Sequence, residues 1–91
     1  MESIFFKKEE AMRFDYDPRY NIAYIRLKPK TSEVMSIKIS DELIVDLSPD
    51  GTVYGMELLN ANEQLLKGDN GKFLFCNKKD GKEIDVPIAV G

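Results

Sequence analysis

"LIVDLSPDGTVYGMELL", residues 43–59, sets two apolar runs on either side of the turn signal Ser-Pro-Asp-Gly. Pro49 fixes its own φ and, with Asp50, suits the two central positions of a type I turn, while Gly51 suits the left-handed position that follows. The stretch predicts a β-hairpin closed by a three-residue loop, with Ser48 facing Thr52. Counting back from that pair, Leu43, Val45, Leu47, Val53, Gly55 and Leu59 are expected on one face with Glu57. Ile44, Tyr54, Met56 and Leu58 are expected on the other with Asp46. Each face then carries one acid among apolar groups, and a buried acid must find a partner.

The neighbouring segments also read as strands. In "MRFDY", residues 12–16, Met12, Phe14 and Tyr16 alternate with Arg13 and Asp15, which places three apolar groups on one side. "DPRYN" follows as a turn, with Asp17 before Pro18. In "IAYIRL", residues 22–27, apolar groups occupy both faces, as in a central strand. "EVMSIKIS", residues 33–40, alternates Met35, Ile37 and Ile39 with Val34, Ser36, Lys38 and Ser40, and predicts a half-buried strand. "NANEQLLKG", residues 60–68, offers Asn60 or Asn62 as a helix N-cap and Gly68 as a terminator, enough for one or two turns. The tail, "GKFLFCNKKDGKEIDVPIAVG", reads as a second hairpin whose last strand lies at an edge or stops at Pro87. The expected fold is mainly β: a small antiparallel sheet or sandwich of about six to seven strands with one short helix. Residues 1–91 are expected to form a single domain, with 12–66 as its core and 68–91 as an additional C-terminal hairpin.

At 91 residues, 43% of them hydrophobic, with five Phe and four Tyr, the chain has room for one packed core and is not composed like a disordered segment. A net charge of −3 disfavours nucleic acid as a partner, because phosphate backbones demand clustered Lys and Arg. Cys76 is the only cysteine, so an intramolecular disulfide is excluded and a reducing cytoplasm fits best. The opening "MESIFFKKEE" puts Glu2 where an export signal is basic, and its apolar run falls short of the about seven residues such a signal needs. No stretch approaches the about 20 apolar residues of a membrane span, so no membrane partner is expected.

Histidine is absent, which removes the usual general base and the commonest metal ligand. Cys76 sits in the apolar pattern "FLFC" and is expected to be a small buried hydrophobe rather than a nucleophile. Among the acids, Asp17 reads as a turn residue and Asp15 as the solvent side of its strand. Asp46 and Glu57 stand out because each interrupts an apolar face. They read either as satisfied structural acids, with Arg26 or backbone amides as partners, or as an acid/base or Mg²⁺/Ca²⁺ site. No catalytic, cofactor-binding or metal-ligating residue is assigned, and no cofactor is expected.

The order "YDPRYNIAYIRL", then "IVDLSPDGTVYGMELLNA", resembles a small prokaryotic family catalogued as domain of unknown function 2283. The matching positions are Tyr16, Asp17, Ala23, Tyr24, Ile25, Leu27, Val45, Asp46, Gly51, Gly55, Glu57 and Leu59, within about residues 12–66. The family usually carries Asp where this chain has Asn21. The resemblance implies a small antiparallel β fold without an established activity, and an antitoxin or binding role, since some members are suspected of sitting beside toxin-like proteins. Strands 22–27 and 53–59 bear apolar residues on both faces, more than one small sheet covers. A homodimer, and a non-catalytic role in protein–protein interaction, are therefore expected. Phe5, Phe6, Tyr24, Phe73 and Phe75 are the candidate interface residues. The alternative is a small enzyme or metal-binding protein using Asp46 and Glu57.

Overall fold

The structure, a computed structural model of the chain, describes residues 11–31, 33–66 and 71–88. Phe5, Phe6 and Gly68 lie outside them. The strands are β1 (Arg13–Asp17), β2 (Ile22–Arg26), β3 (Met35–Ser40), β4 (Leu43–Leu47), β5 (Val53–Leu59), β6 (Lys72–Cys76) and β7 (Glu83–Pro87), with the helix α1 (Ala61–Leu66) after β5. The first five form one antiparallel sheet in the order β1-β2-β5-β4-β3, and β6 pairs with β7 separately. The fold is thus mainly β, as the alternating patterns predict. β2, apolar on both sides, lies inside the sheet between β1 and β5.

The Ser-Pro-Asp-Gly turn forms as expected. Ser48 N–H donates to the Thr52 carbonyl at 2.8 Å and Gly51 N–H to the Ser48 carbonyl at 2.8 Å. Gly51 has φ +87°, a value that L side chains rarely adopt. The Asp50 carboxylate accepts from both the Thr52 amide and its hydroxyl. Beyond the turn the expected register fails. Leu47 pairs with Val53, but the next pair is Asp46 with Gly55. Tyr54 is the extra residue of a bulge, and from there every β5 side chain changes face relative to a regular ladder. Asp46 and Glu57, expected on opposite faces, therefore share one.

The two sides of the sheet differ. One carries Asp15, Tyr24, Arg26, Gly55, Glu57, Asp46, Ser36 and Lys38, and the other carries Phe14, Ala23, Ile25, Met56, Leu58, Val45 and Ile37, as the pairings dictate. The β6–β7 hairpin meets the apolar side at β1, where the rings of Phe14 and Phe73 pack edge to face at 6.3 Å. Its loop closes through Asn77 and Lys82, with Gly81 at φ +74°, and β7 ends at Pro87 as expected. Cys76 is half-buried rather than enclosed, its thiol 3.6 Å from a Glu83 carboxylate oxygen, on the hairpin side opposite Phe73 and Phe75.

β3 departs furthest from expectation. All six of its residues are exposed, since it is an edge strand and the hairpin lies over the other end of the sheet. Among the described residues only Ala23, Tyr54 and Ala61 are buried apolar groups, and no large side chain is fully enclosed.

Candidate functional site

The polar side of the sheet is organised around Asp46. Tyr24 on β2 donates its hydroxyl to Asp46 Oδ2 at 2.6 Å, and Ser36 on β3 donates to Oδ1 at 2.6 Å. Ser36 stands directly across from Asp46, whereas Tyr24 lies two strands away, beyond β5. Gly55 makes that reach feasible. A methyl at this position would stand 2.5 Å from the Tyr24 hydroxyl oxygen and 2.6 Å from the Ile25 carbonyl oxygen, so only glycine lets the phenol ring cross the central strand. The bulge at Tyr54 is the second requirement, because it turns Asp46 toward Tyr24.

The electrostatics follow from the placement. Burial, the hydrogen bond to Asp46 and the charges of Asp46 and Glu57 all push the Tyr24 hydroxyl well above the usual tyrosine range. Tyr24 is therefore a permanent donor at neutral pH. Glu57 faces it across the β2–β5 ladder. Arg26, expected as a partner for these acids, is 8% exposed and points one amino group at the Ala11 carbonyl, at 3.1 Å. Asp46 accepts from two hydroxyls. Ser36 could not be singled out from the sequence, since one serine in an alternating strand reads as solvent-facing. Gly55 offered a signal, a lone glycine inside an apolar strand.

A second set of polar contacts closes one end of the sheet. Asp17 accepts from the Arg19 amide at 3.0 Å and pairs with its guanidinium at 2.9 Å, which holds the carboxyl below its ordinary range. This is the turn role expected of it. Asn21, at φ +60°, accepts the Asn62 amide on its side-chain oxygen at 2.6 Å. The cap of α1 thus comes from the β1–β2 turn, not from the side chains of Asn60 or Asn62. Asn60, at φ +55°, instead reaches Glu42, and Asn62 accepts the Tyr16 hydroxyl at 2.6 Å.

Of the candidate interface residues, Tyr24 is engaged inside the sheet with Asp46, Phe73 lines a groove against β1, and Phe75 is 55% exposed. The groove has a volume of about 430 Å³ and is walled by Phe14, Tyr16, Phe73, Val86 and Pro87, among others. Among the described residues no three Cys, Asp or Glu side chains gather as metal ligands, and no helix is long and apolar enough to cross a membrane.

Among the described residues, these features define a small antiparallel β-sheet protein with one hydrogen-bonded polar side and one apolar side that is half-buried at its centre and exposed along β3. Residues 13–62, more than half of the chain, match the family described as "Protein of unknown function (DUF2283)", and the chain belongs to that family. The matched region contains the whole five-stranded sheet and the Tyr24–Gly55–Asp46 arrangement. No curated protein and no solved structure matches the chain.

Proposed function

We propose that this protein is a non-catalytic protein-interaction module whose working surface is the apolar side of the five-stranded sheet together with the β6–β7 hairpin. The supporting observation is the exposure of that surface: Met35 is 63%, Ile37 40% and Ile39 58% exposed, and Ile84 on the hairpin 59%. Exposed apolar side chains gathered along β3 and along the hairpin, at the two ends of one sheet face, are the kind of surface that marks an interaction site. The enzymatic alternative has less support, because the Asp46 carboxylate is tied to the Tyr24 and Ser36 hydroxyls and, among the described residues, no third acid or cysteine joins it as a metal ligand. The lone half-buried cysteine suits a reducing cytoplasm. Native mass spectrometry of the full chain isolated from its own cells tests the reading. A stoichiometric protein associate, either a further copy or a different chain, is expected. It should be lost in Ile37→Lys while the circular dichroism spectrum stays unchanged. A wild-type chain that is recovered alone, and that also sediments alone at micromolar concentration, overturns the proposal.

A further inference from the structure

We propose that the occupant of this surface is a second copy of the same chain, bound reciprocally, with the hairpin of each protomer lying over the β3–β4 side of the other. This rests on the interaction reading above and names its partner. Two apolar surfaces of one chain are left open, at the two ends of one sheet face. Met35 and Ile37 share a face with Val45 and Leu47 by register, and Ile39 sits in a bulge opposite Leu43. On the hairpin, Phe73 and Phe75 pair with Val86 and Ile84 and share its inner side; Phe73 packs on Phe14 of its own sheet, whereas Phe75 and Ile84 are more than half exposed.

Area points the same way. Met35, Ile37, Ile39, Phe75, Ile84 and Val86 are each about half exposed, and a reciprocal pair covers both sets on each chain together with the groove between β1 and the hairpin, toward the about 800 Å² that each partner contributes to a standard interface. Charge supports the same orientation. The hairpin loop carries Lys78, Lys79 and Lys82 against one acid, Asp80, whereas the β3–β4 turn carries Asp41 and Glu42; Asp41 pairs with Lys38 of its own chain at 3.3 Å and Glu42 accepts from Asn60, yet the turn keeps two acids to one lysine, so the loop of one copy complements the turn of the other. Pairing through the open edge of β3 is the competing geometry. Lys38 and the bulge at Ile39 both guard that edge in the way natural sheets avoid edge-to-edge growth. A two-fold arrangement buries both surfaces at once and leaves no open end.

Sedimentation velocity at micromolar concentration, with circular dichroism as the folding control, tests this on the full chain. Wild type should sediment at twice the chain mass of 10.4 kDa. Ile37→Lys and Ile84→Glu should each lose the dimer, and an equimolar mixture of the two should recover it, because one half of the mixed dimer is wild type and the other sets Lys against Glu. If either variant fails to fold alone, co-refolding the two supplies the same readout, with recovery of a folded mixed dimer expected. A dimer that survives Ile84→Glu, or a mixture that stays dissociated, overturns the reciprocal arrangement. A wild-type monomer that still captures a different protein through Ile37 overturns the second copy while leaving the interaction reading intact.

Discussion

A methyl group at Gly55 would collide with a hydroxyl that can move and with a backbone carbonyl of β2 that cannot. Gly55→Ala is therefore expected to lower stability by about 3 kcal/mol, at the upper end of overpacking costs, and urea denaturation measures it. Tyr24→Phe removes only the hydrogen bond to Asp46 and should cost about 1–2 kcal/mol at neutral pH. Its pH dependence carries more information. The Tyr24 pKa is raised in the folded state, so its contribution is complete below the unfolded value of about 10 and is lost as the pH climbs past it, because the unfolded chain ionises first. The stability gap between wild type and Tyr24→Phe should therefore narrow above pH 10; a gap that stays constant to pH 11 refutes the assignment. The engagement of Asp46 has a further consequence. Millimolar Mg²⁺ or Ca²⁺ should leave the melting temperature unchanged, since a folded-state site of useful affinity raises it by linkage.

At the scale of elements, α1 is the one that cannot stand alone: it has six residues, far short of the about 12 at which an isolated helix becomes marginal in water. It is held by Asn21, which caps it and occupies a left-handed backbone position. Asn21→Ala loses the cap and strains the backbone, for a combined cost of about 2 kcal/mol. Asn21→Gly loses the cap alone and should cost about half as much. Thermal melts of the pair separate the two effects, and equal losses would show that the backbone angle is immaterial. This element also marks how far local pattern reaches. The Ser48–Thr52 loop was legible because its determinants, Pro49, Asp50 and Gly51, are adjacent in sequence. The cap was not, because Asn21 and Asn62 are brought together only by the β2–β5 pairing. The bulge at Tyr54 escaped for a related reason: alternation fixes the parity of a strand only until an extra residue enters, and what favours that residue is a bond between Tyr24 and Asp46 on other strands. β3 was read correctly as a strand with one apolar side, but periodicity does not say whether anything covers that side.

For the whole molecule, the dimer proposed above implies a stability that depends on protein concentration. The melting temperature should rise with protein concentration across the dissociation range, whereas a monomer with the same contacts would melt at one temperature throughout. Ile37→Lys should remove the dependence. The strand order β1-β2-β5-β4-β3 has a consequence for biosynthesis as well. The middle strand of the sheet is also its last to be made. While β5 is still inside the ribosome, the chain outside holds two separate hairpins, β1–β2 and β3–β4, and a lone two-stranded hairpin is at best marginal in water. At about 5–20 residues per second the nascent chain spends seconds with its apolar residues unsheltered, and then the sheet closes in a single late step. A message truncated anywhere ahead of Leu59 yields a substrate for proteolysis and not a smaller version of the fold.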